Sequence, residues 1–319
     1  MKLLGNRFRN LYAHAPHTLS GVLRWKLGLA RHDRPSQPSA DLASNGPTLH
    51  ALDASLSAPA TKGRIQLTWI GHSTFLIQYQ GRNILTDPIF GNCQPMAIGG
   101  LRRSSPPGIC FDCLPPIDDV LISHSHYDHL DAPTVRALGD RVRYWVPTGL
   151  SGWFRKREIG SCQELGWWES GAVSEEIAIH CVPAQHASGR SVFDRDRTHW
   201  CGWVLQSSER SIYFAGDTGY SPSFREIGRR FGGFDLAMIP IGGYEPRWLM
   251  HPMHLNPAEA VQAHIDIASR LSVACHWGTF RLTDEPLYEP PELLAQVLCA
   301  RHIDPQAFLA LRAGKTLEM

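Results

Sequence analysis

A chain of 319 residues, 43% of them hydrophobic, can bury a substantial core, in one large domain or two small ones. Its 31 Lys and Arg balance 30 Asp and Glu, so the net charge of +1 leaves no global electrostatic footprint for nucleic acid. No run approaches the roughly 18 apolar residues of a membrane span. Residues 1–9 carry charges where a secretion signal needs its apolar core, which points to the cytoplasm, with peripheral membrane contact left open.

Residues 1–60 differ from the remainder. Residues 11–29 suit a short helix, and 32–60 are rich in Pro, Ser and Ala without period, so this part reads as an extension or strap beside a catalytic domain spanning 61–319. Ile65, Leu67 and Trp69 alternate, and Phe75, Ile77 and Tyr79 alternate again after Gly71-His72. With the Gln80-Gly81 turn and the run 84–87 they predict a β-meander. Residues 88–116 form a long loop, a length that is usually functional or disordered. Its Met96, Ile98 and Leu101 beside Arg102 and Arg103 suit either a weakly basic rim that touches lipid or a loop packed on its own domain. The eight cysteines are scattered and lack a secretion signal, so reduced thiols are expected. Cys110 and Cys113 make a lone Cys-x-x-Cys; Cys93 is near, but a zinc site would want a fourth ligand.

The apolar run Val120-Leu121-Ile122 follows a turn at Pro115-Pro116 and reads as a buried strand. Directly after it come His124, His126, Asp128 and His129. A strand end opening into a loop presents several side chains to one point. Imidazoles bind zinc through one ring nitrogen at about 2.0–2.1 Å, and a carboxylate completes or bridges the shell. Asp128 between His126 and His129 makes two adjacent ions conceivable, since alternate side chains diverge. The plain alternative, a surface histidine cluster without a ligand, fits poorly with a place behind a buried strand. The spacing matches His-x-His-x-Asp-His, and in this the chain resembles the metallo-β-lactamase superfamily. That resemblance implies a further histidine, a bridging aspartate and a last histidine, each at a strand end.

Downstream, Asp131 is placed to cap a helix with Pro133 in its first turn, running to Gly139. A strand is predicted at 142–146, a short helix at 152–156 and a strand at 177–182, with His186 just past the last. A lone histidine is more often structural, but this is where the third imidazole is implied. Segments 203–206 and 212–214 form a hairpin that ends in Asp217, with Gly216 and Gly219 around it to turn the backbone sharply. A helix follows Ser221-Pro222, and the apolar run 234–241 reads as a strand covered on both faces. Asn256, Pro257 and Glu259 give an N-cap, a first-turn proline and a capping box, with Val261, Ile265 and Ala268 as the buried stripe. The strand 271–276 ends in His276, residues 290–300 form a helix and 307–311 a final strand. Strands in two batches, each followed by helices, suggest two sheets packed face to face with helices outside.

Longer motifs narrow the resemblance. Gly71-His72-Ser73-Thr74, Leu85-Thr86-Asp87-Pro88-Ile89-Phe90, Gln185-His186-Ala187-Ser188-Gly189-Arg190, Tyr244-Glu245-Pro246-Arg247-Trp248 and His276-Trp277-Gly278-Thr279-Phe280 resemble the N-acylphosphatidylethanolamine-hydrolysing phospholipase D family and its bacterial homologues. Two positions depart from that pattern: His251 stands where a lysine is expected and Ala187 where an aromatic is usual. The resemblance implies an α/β four-layer αββα sandwich of two mixed sheets with outer helices. It further implies two Zn2+ ions per chain, one on His124, His126 and His186, the other on Asp128, His129 and His276, with Asp217 bridging. The expected catalytic side chains are Asp128 and His254. His254, left without a metal to hold, would contact substrate, protonate the leaving group or simply pack under its loop. Arg190 and Arg195 would bind phosphate or brace loops. The reading is a zinc phosphodiesterase cleaving a phospholipid such as N-acylphosphatidylethanolamine to phosphatidic acid and N-acylethanolamine, with a homodimer left open. The alternatives are a lactonase or small-ester hydrolase on the same fold, and a non-catalytic metal-binding protein.

Overall fold

The computed structural model describes residues 7–14, 19–29, 63–95, 100–191 and 193–319. Tight turns at His72-Ser73 and Gln80-Gly81 fold β1 (Ile65–Gly71), β2 (Thr74–Tyr79) and β3 (Arg82–Thr86) into the expected meander. Crossovers then lay β4 (Asp119–Leu121), β5 (Arg143–Pro147) and β6 (Cys162–Leu165) parallel beside β3. The second half repeats this plan. Antiparallel β7 (Ser170–Ala172), β8 (Ala178–Val182), β9 (Gly202–Gln206) and β10 (Ser211–Phe214) are followed by parallel β11 (Phe234–Pro240), β12 (Ser269–Cys275) and β13 (Phe308–Leu309). The first sheet gains its seventh strand from the chain end, where β14 (Thr316–Glu318) pairs antiparallel with β1. Each seven-stranded sheet therefore shows the same series of three antiparallel and then three parallel pairings, with no repeat in the residues to announce it.

Helices complete the layers: α1 (Leu19–Lys26), α2 (Ala132–Leu138), α3 (Ser151–Arg155), α4 (Ser223–Phe231), α5 (Arg247–Met250), α6 (Pro257–Asp266) and α7 (Glu289–Ala300). Leu67, Trp69 and Ile77 of the first sheet meet Trp203, Phe214, Leu236 and Val273 of the second in the central core. Val135 and Phe154 cover the outer face of the first sheet over Val120 and Tyr144. Phe224, Val261 and Leu294 cover the second over Ala237 and Ile239. β11 thus turns Leu236 and Met238 inward and Ala237 and Ile239 outward, which is why its sequence is apolar without alternation. The result is the four-layer αββα sandwich.

Several expectations are corrected. The edge strands β6 and β7 have little strand character in sequence, being polar and partly exposed or Ser-Gly-Ala, and exist because a neighbour supplies their ladder. Ile265 is 46% exposed; the buried stripe of α6 is Ala260, Val261, Ala263 and His264, one step round the helix. Cys110 and Cys113 form a disulfide, because a 3-10 turn over Phe111–Cys113 brings their Cα atoms to 5.2 Å. The other cysteines are free, as expected. Met96, Ile98 and residues 32–60 lie outside the described residues. Leu101 pairs with Cys93, and Arg103 Nη1 donates to the Ile89 carbonyl, so the described flanks of the long loop fold on their own domain. The helix expected within 11–29 is α1.

Asp119 illustrates how the first sheet is tied. It is fully buried and accepts hydrogen bonds from Arg82, from Arg143 Nε at 2.7 Å and from Trp145 Nε1 at 2.9 Å. Removing the carboxylate takes the buried partner from two part-buried guanidiniums, leaving Arg82 with Asp118 at 3.4 Å and Arg143 with the Val173 carbonyl. Asp119→Ala is therefore expected to cost about 3 kcal/mol, a fall of roughly 6–12 °C in melting temperature. A melting curve that does not move would show that these charges find equal partners in water.

Candidate metal centre

The chemistry-bearing residues gather where strands of both sheets end. Beyond β4 the chain turns on itself, with His129 N and Leu130 N both donating to the His126 carbonyl, so His124, His126, Asp128 and His129 face one point. His186 lies past the end of β8 and His276 directly follows β12. Ala215 N continues the β10–β11 pairing to the Met238 carbonyl before the chain swings out to Asp217. That swing needs Gly216: its φ is +60°, and a Cβ there would stand 2.6 Å from Ser123 Cβ. Gly243, also at positive φ, leaves room on the opposite side, since a Cβ would come within 3.0 Å of His254 Nδ1 and 3.1 Å of His276 Cε1.

Two donor groups result. In the first, His126 Nδ1 lies 2.8 Å from His124 Nε2 and 3.2 Å from His186 Nε2. Ligands around a tetrahedral zinc sit about 3.3 Å apart at the usual Zn–N distance, close to these separations. In the second, Asp128 Oδ2 lies 3.4 Å from His129 Nε2 and 3.7 Å from His276 Nε2. Asp217 Oδ2 stands between the groups, 3.0 Å from His276 Nε2, 3.2 Å from His129 Nε2 and 3.8 Å from His186 Nε2. Among the described residues, His129 Nε2, His276 Nε2 and Asp217 Oδ1 are buried without a hydrogen-bond partner. Orphaned polar atoms aimed at a common point are what a metal centre leaves when only its protein atoms are considered. The donor set fits divalent ions of the zinc type.

Electrostatics agree. Burial presses His124, His126 and His186 below the ordinary histidine value, with neighbouring imidazoles adding to the effect, so these rings stay neutral and keep a lone pair for a metal. Burial alone would raise Asp128 and Asp217; the charge on His129 outweighs it at both, aided by the bond from His72 at Asp128 and by the charge on His276 at Asp217, and holds both well below the usual carboxylate range. Burial likewise opposes charge on His276, but Asp217 and Asp128 prevail and raise it to about 9. A field that holds a proton on a buried imidazole attracts a divalent cation more strongly still.

Two residues of the site were not assigned a role from sequence. Asp87, just past β3, accepts from His129 Nδ1 at 2.7 Å and from Ser123 N at 2.7 Å. The Ser123 hydroxyl gives its proton to Asp87 and so accepts from His124 Nδ1. These bonds fix which nitrogen of His129 and His124 faces the centre, as the Met253 carbonyl does at 3.0 Å from His186 Nδ1. His72, in the β1–β2 turn, places Nε2 3.0 Å from Asp128 Oδ2, and its carbonyl accepts from His276 N. Their signal in the sequence was a polar residue bounding a buried strand. His72, Asp87 and His276 all have positive φ, a costly conformation for a side chain-bearing residue that clusters at functional sites.

His254 is part-buried, with Nδ1 3.9 Å from Asp217 Oδ2. Burial lowers it to about 3, so it is uncharged at neutral pH. Arg190 braces loops: Nη1 donates to the Ser125 and Leu130 carbonyls, and the guanidinium lies over Tyr127. Arg195 lines a cavity of about 420 Å³ whose floor is His126, Asp128, His186, Asp217 and His276. His251 pairs with Glu259 at the surface and takes no part in that lining.

Residues 82–277 match a sequence profile described as the beta-lactamase superfamily domain. The chain belongs to that superfamily. It is 38% identical over 266 residues to the N-acyl-phosphatidylethanolamine-hydrolyzing phospholipase D 1 of Caenorhabditis elegans, spanning 79% of this chain and 75% of that one. A metal-dependent hydrolase of Caldivirga maquilingensis is 31% identical over 219 residues, 67% of this chain and 82% of that one. In architecture this superfamily member resembles an isothiocyanate hydrolase from Delia radicum gut bacteria, with a TM-score of 0.64, 19% identity and coverage of 79% of this chain and 98% of that one. Family, fold and donor cluster together make it a metal-dependent hydrolase of the metallo-β-lactamase fold. No helix among the described residues is long and apolar enough to cross a membrane.

Proposed function

We propose that this protein is a dinuclear zinc phosphodiesterase of the phospholipase D type. It would add water to N-acylphosphatidylethanolamine-like lipids to yield phosphatidic acid and an N-acylethanolamine. The observation that carries the dinuclear reading is the place of Asp217 Oδ2, within 3.8 Å of His186 on one side and 3.2 Å of His129 on the other. His124, His126 and His186 would hold one ion, Asp128, His129 and His276 the other, and Asp217 both. Bound there, the pair supplies a water whose pKa falls from 15.7 toward about 7, and polarises a phosphoryl oxygen.

The chain's own residues do the rest. His72 donates to Asp128 Oδ2 and keeps that carboxylate turned inward. His254 lines the cavity with a buried Nδ1 that has no hydrogen-bond partner among the described residues, and its backbone is fixed by bonds to the Met250 carbonyl and from Arg247. As a neutral ring it can donate an N–H hydrogen bond to the departing alkoxide oxygen of the N-acylethanolamine, and full transfer of that proton would leave an imidazolate that takes a proton back from water. Val22, Met250, Met253 and Leu282 line the same cavity and offer an apolar wall for an acyl chain. The lipid assignment is supported by that wall and by the worm relative, which carries the activity in its name.

The purified protein, given vesicles containing N-acylphosphatidylethanolamine, is expected to release phosphatidic acid and N-acylethanolamine in equal amounts. In 18O-water the label should enter the phosphatidic acid alone. Chelation should stop the reaction and zinc restore it. Lactone opening without lipid turnover would move the assignment to the small-ester class, and full activity in a metal-free preparation would remove the metal centre from the account.

A further inference from the structure

We infer that Asn10 is a positioning residue of the metal centre, holding the His186 imidazole on aim from a segment outside the matched 82–277 domain; this rests on the ligand role proposed for His186. His186 sits in a loop, where no ladder fixes its backbone. Asn10 takes over that task. Its Oδ1 accepts from His186 N at 3.0 Å and from Trp200 Nε1 at 2.9 Å, and its Nδ2 donates to the His186 carbonyl at 2.8 Å. The second Nδ2 proton is directed at His14 Nε2, also at 2.8 Å. A planar amide thus grips both polar groups of one residue, as a strand partner would. Asp lacks the donor, and Leu of similar shape lacks both.

The grip matters because, on the side away from the centre, the ring is held by the bond from Nδ1 to the Met253 carbonyl, so its aim follows its backbone. Nε2 then points at His126 and Asp217. Metal sites tolerate errors of about 0.2 Å in ligand distance. Nε2 stands several ångströms beyond its Cα, so a small tilt of the 186 peptide exceeds that tolerance at the ring tip. The segment that carries Asn10 has anchors of its own: Phe8 N donates to the Asp196 carbonyl at 2.7 Å, and the Phe8 ring stacks on His199 at 4.4 Å. Losing the amide therefore does not by itself release the segment.

The test is Zn2+ affinity of the full chain, measured by competition with a coloured chelator, alongside melting of the metal-free protein. Wild type is compared with Asn10→Leu, Asn10→Asp and Phe8→Leu. In Asn10→Leu one of two ions should bind roughly 10–100-fold more weakly while the other is unchanged. Asn10→Asp, which keeps the acceptor for His186 N and loses the donor, should fall between. Phe8→Leu should lower the melting temperature at least as much as Asn10→Leu while leaving both affinities alone. Wild-type affinity for both ions in Asn10→Leu overturns the inference. So does an equal loss at both sites that Phe8→Leu reproduces, which would make Asn10 part of the fold only. A wild-type protein that takes up no pair of ions would instead remove the reading on which the inference stands.

Discussion

Asp217→Ala is expected to cut lipid hydrolysis by about 10³–10⁴-fold or more, the equivalent of the several kcal/mol that metal polarisation provides. The same substitution should leave fewer than two ions bound. The carboxylate lies close to nitrogens of both donor sets, and it is buried, so no water replaces its charge. Asp217→Asn separates field from shape, since it keeps the volume and one oxygen but loses the charge. Elemental analysis and kcat/KM on the same preparations provide the check. If Asp217→Asn held both ions and turned over near the wild-type rate, the bridging role would have to be abandoned.

His276→Ala and His254→Ala should part company. His276 Nε2 is within 3.0 Å of Asp217 and 3.7 Å of Asp128, so its loss should cost an ion or weaken it strongly. His254→Ala should keep both ions, because the proposed ligand set is complete without it, and lower the rate by roughly 10²–10⁴ if the ring protonates the leaving oxygen. A phosphodiester whose leaving group is already very acidic needs little protonation, and the deficit should shrink on it. A similar deficit on both substrates would leave His254 a substrate-orienting role. Loss of an ion in His254→Ala would count against the ligand assignment itself, since Nδ1 is only 3.9 Å from Asp217 Oδ2.

The site was legible in sequence to the extent that it obeys local rules. Four of the proposed ligands crowd into residues 124–129 behind an apolar run, and the others fall at or just beyond the ends of predicted strands. The capping box at Asn256 and Glu259 and the Asp131 cap also formed as their spacing predicts, because caps depend on neighbours three residues away. His72 and Asp87 escaped for the opposite reason. Each stands at a turn or strand end with nothing in its own segment to mark it, and each gains its role from a residue more than 40 positions distant: His72 from Asp128, Asp87 from His129. Asn10 is the extreme case, acting on His186 across 176 positions.

By itself the sequence determined where the main buried strands run and which metal-binding side chains stand at their ends, because burial pattern and turn chemistry are properties of short windows. Only the tertiary structure decided which ends meet. The pairing of β14 with β1, the edge strands β6 and β7, and the disulfide at Cys110 and Cys113 all depend on what is brought alongside. So does the place of Asp217 between two sets of imidazoles, since its distances are fixed by how two sheets pack, and no window of sequence spans both.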